Sequence, residues 1–238
     1  MLAVLFFSVG LRTPLLALVA LRRPKNLAVV VLPYGAGLLV VAALGPALGD
    51  ADRIGLTAVA IAPALLPAPA LAGAIGGRMD RSGALLVGTI GMWWLLSLVR
   101  GVFGPAQNAM LAFIVGAAIT SAVPMLPELV RTIVRRLGDA AFIVLAAIAV
   151  TGAGALDATN GLAAIALFVF VAGSAALAAR IGGVDIPSAL AGAGSRDPAV
   201  ATALAVAAGG STAIPLSSGV LLVVLSAALA LRNRRKPR

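Results

Sequence analysis

Arg196 and Asp197 sit side by side at the centre of an otherwise apolar stretch, IPSALAGAGSRDPAVATALAVAAGG. A charged side chain inside hydrocarbon is expensive, so such a pair implies water, a partner or a ligand at that depth. A guanidinium offers a fork of donors to a carboxylate or sulfonate. The adjacent carboxylate can orient that fork or hold a coupling cation. Gly192, Gly194, Ser195 and Pro198 surround the pair and weaken the helix. Freed carbonyls at Gly192 and Gly194, together with Asp197, are the candidate ion-coupling groups, and Ser195 and Arg196 are the candidate substrate contacts. A second stretch, AIAPALLPAPALAGAIGG, carries Pro63, Pro67 and Pro69. An interior proline removes one i→i−4 hydrogen bond and clashes with a carbonyl, so three together predict an unwound or kinked centre. Those prolines complete the expected substrate-binding set. Blander readings compete with this one: a kinked packing helix for the proline-rich stretch, and for the other a loop or a self-satisfied ion pair.

The elements that position these residues follow from composition. Of the 238 residues, 61% are apolar and only 11% are charged. Mean hydropathy is +1.11. A soluble domain is about 45–50% apolar and about 25% charged, so the chain reads as dissolved in lipid. It has no Cys and no His, which removes disulfides, thiolate catalysis, iron–sulfur ligands and the usual metal ligand and proton shuttle. Eight acidic residues supply an Asp/Glu metal site poorly. No enzyme chemistry and no resident cofactor are expected. The net charge of +10 with 4% aromatics does not form a basic stripe, so nucleic acid is not an expected partner.

A helix that crosses the hydrocarbon needs about 20 apolar residues. Nine segments qualify or nearly do: about 1–11, 26–44, 54–77, 83–103, 108–134, 140–155, 161–181, 186–209 and 212–231. The prediction is therefore an all-α polytopic membrane protein of about nine transmembrane helices, a single integral domain over 1–238. The basic residues test the count. Arg12, Arg22, Arg23, Lys25, Arg78, Arg81, Arg131, Arg135, Arg136, Arg180, Arg232, Arg234, Arg235, Lys236 and Arg238 fall on alternate connections. Cytoplasmic loops carry such an excess. This bias predicts a multi-pass protein of a bacterial-type inner (cell) membrane, N-terminus outside and C-terminus cytoplasmic. Thr13–Leu21, between two arginines, reads as a short interfacial helix or a loop. Glu128 and Arg131 are placed for an i,i+3 ion pair, and Gly116, Ala117, Ala118 and Ser121 for close helix packing.

The two interrupted segments are the third and the eighth, so they run in opposite directions. Interrupted helices at corresponding places in two inverted halves point to the binding site of a secondary transporter.

The chain resembles the bile acid:sodium symporter family over most of its length. The resemblance rests on FFSVGLRTPLLALVALRRPK, on Pro63 within AIAPALLPAPALAGAIGGRMDRSGALLVGTI with its Gly76-Gly77, and on Gly194-Ser-Arg-Asp-Pro198 followed by AVATALAVA. It implies two five-helix inverted repeats whose discontinuous helices cross. The core would lie at about 26–103 and 161–231, beside a panel at about 1–25 and 108–155. On that mapping the chain begins at the family's second helix. The family's polar sodium-holding side chains fall at Leu66, Ala68 and Pro69, and its glutamate at Gly192. The resemblance therefore provides poorly for sodium. Secondary transport of a small organic anion is the expected function, with a non-transporting membrane scaffold or partner subunit as the alternative.

Overall fold

A computed structural model describes residues 2–11, 23–100, 104–122, 127–152 and 157–234. The described residues are all-helical, without a β-strand. In chain order they form α1 (Leu2–Gly10), α2 (Pro24–Leu44, continued by a 3-10 turn to Ala47), α3 (Asp50–Ile61), α4 (Ala68–Ala74) and α5 (Met79–Arg100). Next in the chain are α6 (Gly104–Ala122), α7 (Glu128–Gly152), α8 (Ala158–Gly182) and α9 (Ile186–Ala189), which runs into a π-helical turn at Leu190–Gly194. The last two are α10 (Pro198–Ala207) and α11 (Ala213–Arg234).

Local chemistry sets the helix ends. Asp157 accepts from the Asn160 N–H to open α8, and Gly183 closes it in the left-handed region at φ 64°. A glycine takes that conformation without the Cβ clash other residues meet. Asp185 and Asp197 cap α9 and α10 in the same way, each with a proline in the first turn, where a missing N–H matters least. Pro67 and Pro69 likewise begin α4.

One sequence pattern occurs twice. A long helix, an interrupted pair and a 22-residue helix make up α2 to α5, and the same order recurs in α8 to α11. The long helices α2 and α8 pack along each other. Between them α3 lies beside α10, whereas α4 lies beside the π turn after α9. Each first half thus neighbours the other's second half, as in two spans that cross while running oppositely. α1 packs on α6 and α7, so closely that a Cβ at Gly116 would come within 2.6 Å of the Phe7 carbonyl oxygen. The Phe6 ring, stacked 4.8 Å from Trp93, ties this group to α5.

Alanine and small apolar residues fill the interior, whereas the outside carries Leu111, Ile143, Leu162, Phe170, Leu177, Val223 and similar side chains in the open. An apolar exterior of this kind is unstable in water and suited to lipid. Among the described residues, Pro24–Ala47 and Ala158–Gly182 are long and apolar enough to cross a membrane.

Two boundaries differ from the sequence expectation. The segment expected at 108–134 ends as a helix at Ala122, and the one expected from 140 already begins at Glu128. Apolarity alone had joined the start of α7 to α6, because Leu129, Val130, Ile133 and Val134 mask the break in a hydropathy window. Glu128 therefore opens α7 instead of ending the preceding span, and the side chain of Arg131 lies outside the described residues. Thr13–Leu21 also lies outside them.

Candidate functional site

Both interrupted stretches lose regular helix at the predicted place, and there they bond to each other. The break between α3 and α4 spans Ala62–Pro67. Its backbone donors can be followed one by one. Ala62 N–H stays with the Ala58 carbonyl, and Ala64 N–H donates to Thr89 Oγ1 at 3.0 Å. Leu65 N–H reaches Ser195 Oγ at 3.4 Å, and Leu66 N–H donates to Asp197 Oδ2 at 3.0 Å. Pro63 and Pro67 have no N–H to place. A buried backbone group left without a partner costs about 1–3 kcal/mol, and here the prolines together with Thr89, Ser195 and Asp197 remove that cost.

Asp197 takes part in this twice, at Leu66 and at Pro63. Its own N–H donates to the Pro63 carbonyl at 2.9 Å. Its Oδ1 accepts from Ala199 and Val200, both at 3.0 Å, as the cap of α10. One carboxylate thus joins the first turn of α10 to the unwound centre of the other span, in a place with no exposure to solvent. Ser195 donates its hydroxyl to the Ala191 carbonyl at 2.7 Å.

Arg196 is 6% exposed and does not pair with Asp197. Its Cζ lies 4.1 Å from the centre of the Tyr34 ring, a cation–π contact. Tyr34 is held in turn, its hydroxyl donating to the Thr89 carbonyl at 2.7 Å with the Ala62 carbonyl 3.3 Å away. Nη1 of Arg196 donates to the Ala193 carbonyl at 3.2 Å. Its Nε and Nη2 are buried without a partner. Arg196 and Gly194 line a cavity of about 10 Å³ with Val59, Leu167, Phe168, Val171, Ser218 and Leu222. A second cavity of about 30 Å³ shares Phe168, Gly194 and Leu222 with it and adds Ser195.

The remaining candidates from sequence separate into two groups. Pro63 is buried at the crossing, whereas Pro67 is exposed and Pro69 half-buried at the start of α4. Gly194 lines both cavities. Gly192 faces α5 so closely that a Cβ would stand 2.7 Å from the Ser82 carbonyl oxygen, which accounts for the glycine by packing. Tyr34, Thr89, Phe168 and Ser218 were not singled out from sequence. Tyr34 carried a signal, being the chain's sole tyrosine within an apolar span.

Sodium suits this donor set badly. Ser195 Oγ, Thr89 Oγ1 and both Asp197 oxygens already accept from backbone N–H groups, and a guanidinium occupies the same crossing. Among the described residues, the buried hydroxyl left without a partner is Ser82 Oγ.

At one end of the crossing, outside the apolar spans, a polar latch ties the α4–α5 connection to the start of α9. Asp185 accepts from Ser188 N–H at 3.1 Å and from Arg81 Nη1 at 3.0 Å. Ser188 Oγ accepts from Arg78 N–H at 2.7 Å and donates to the Arg78 carbonyl at 3.0 Å. Burial alone would raise the Asp185 carboxyl, but the hydrogen bonds from Ser188 and Arg78 and the Arg81 guanidinium outweigh it and hold it below the usual carboxylate range. Asp80 is lowered by its hydrogen bond from Arg78, in an exposed pair.

No known family model matches the chain, and no curated protein matches it. The geometry of the crossing therefore carries the functional argument.

Proposed function

We propose that the protein is a secondary transporter of a small organic anion, working by alternating access about the crossing of the two interrupted spans. The observation that carries this reading is the buried Arg196, whose Nε and Nη2 have no protein partner beside a cavity at the crossing. A buried guanidinium left half-satisfied is costly, and an anion arriving there would recover that cost. In this reading the chain crosses an inner membrane about nine times, N-terminus outside. α2–α5 and α8–α11 are inverted repeats forming the core, and α1, α6 and α7 belong to the panel. The doubled element order and the antiparallel neighbours at the crossing support it. The resemblance to bile acid:sodium symporters remains part of the proposal.

The experiment is uptake into proteoliposomes holding the purified chain. Arg196→Ala is expected to abolish uptake of small carboxylates while leaving membrane insertion intact. Undiminished uptake by that variant removes the assignment. A second reading, a membrane scaffold that retains the fold, is favoured by the structural employment of Asp197 and Ser195. An intact chain that shows no counterflow of any organic anion would decide for it.

A further inference from the structure

We infer that the crossing binds a short-chain monocarboxylate on the free edge of Arg196, without sodium. This rests on the proposed role of Arg196 and names the ligand class and ion requirement of that site. Nε and Nη2 of a guanidinium present two parallel N–H bonds along one edge, the arrangement that grips both oxygens of a carboxylate. Those two nitrogens are the pair left without a partner. Nη1, on the other edge, is engaged by the Ala193 carbonyl, and the Tyr34 ring covers the face. These contacts hold the guanidinium in place and leave the Nε and Nη2 edge buried with no protein partner, the pair that a planar, two-oxygen anion would satisfy.

The cavity limits the tail that the carboxylate can carry. Its volume of about 10 Å³ is on the order of one water position, and the adjoining space of about 30 Å³ adds roughly two or three more. Apart from Arg196 itself and Ser218, the side chains around the smaller space are apolar, and the Ser218 hydroxyl is spent on the Pro215 carbonyl at 2.9 Å. A short alkyl tail suits that smaller space, in which a polyol or a second carboxylate would find no partner.

Charge balance argues against a cation. Arg196 stays protonated in any protein setting and neutralises the bound carboxylate by itself. Asp197, the carboxylate beside it, has its oxygens on Leu66, Ala199 and Val200. A sodium ion would therefore face a fixed positive charge with no free carboxylate to screen it.

The test is equilibrium binding of radiolabelled propionate to the full chain in detergent, in choline chloride and in sodium chloride. Saturable binding with affinities within about twofold of each other is expected. Arg196→Lys, which keeps the charge and loses the fork, should weaken binding at least about tenfold. Leu222→Phe, which fills the cavity without touching Arg196, should weaken propionate more than formate. Octanoate, a stand-in for a membrane-derived fatty acid, should bind at least about tenfold more weakly than propionate. No saturable binding by the folded parent overturns the inference. So does a gain of about tenfold on adding sodium, tighter binding of octanoate, or full affinity in both variants. Saturable binding without uptake in proteoliposomes supports the site and overturns carriage, so the two proposals fail separately.

Discussion

Asp197 Oδ2 accepts the Leu66 backbone N–H at 3.0 Å across 131 residues of sequence. This bond makes the two interrupted stretches one structural unit. The other oxygen caps α10, so the carboxylate is placed where a helix N-terminus and an orphaned amide meet, and both favour negative charge.

Asp197→Asn tests this clamp. An asparagine oxygen can still cap α10, but its amide nitrogen would then face the Leu66 N–H, donor against donor. The expected loss of stability is roughly 1–3 kcal/mol, the penalty of an unsatisfied buried group, read as a lower midpoint of unfolding in detergent. A variant as stable as the parent would show that the Leu66 bond does not depend on the acid.

The Tyr34 ring beneath Arg196 makes a second, separable prediction. Tyr34→Phe keeps the ring and removes the hydroxyl bond to Thr89, with an expected cost of about 1 kcal/mol. A double-mutant cycle combining Tyr34→Leu with Arg196→Met should give a coupling of roughly 0.5–2 kcal/mol from the cation–π contact. Zero coupling would mean that the ring merely fills space.

The latch at Asp185 predicts a pH dependence. Its carboxyl is held below the ordinary 3.8, so the unfolded chain binds the proton more readily than the folded one. The stabilisation is therefore full above about that ordinary value and disappears as pH falls through the lower folded one. Asp185→Asn should lose about 1 kcal/mol at neutral pH, typical of a helix cap, and should lack this component of acid destabilisation. Asp80, though lowered too, is exposed with Arg78 and adds little. Parallel acid-unfolding curves for parent and variant would exclude the latch.

Part of this architecture was legible in sequence. The two breaks were readable because their causes are local: Pro63, Pro67 and Pro69 cannot continue a helix, and Gly194-Ser-Arg-Asp-Pro198 resists one. The start of α7 at Glu128 was missed because Leu129, Val130, Ile133 and Val134 continue the apolar stretch before it, and hydropathy outweighed Pro127 as a helix-start signal. The expectation that Asp197 would orient Arg196 or hold a cation did not foresee the clamp, in which Asp197 bonds Leu66, Ala199 and Val200 instead. Adjacent residues leave an extended segment on different sides, and only the packed neighbours settle what each side meets.

Sequence by itself determined the helical class and the positions of the interruptions, since hydropathy, helix propensity and proline sterics act within a few residues. Tertiary structure decided that Asp197 serves Leu66, that Tyr34 lies under Arg196, and that two nitrogens of the guanidinium are buried without a protein partner. Those outcomes depend on which groups of distant segments meet, at hydrogen-bond distance for Asp197 and Leu66 and in ring contact for Tyr34 and Arg196, a condition that no stretch of chain satisfies alone.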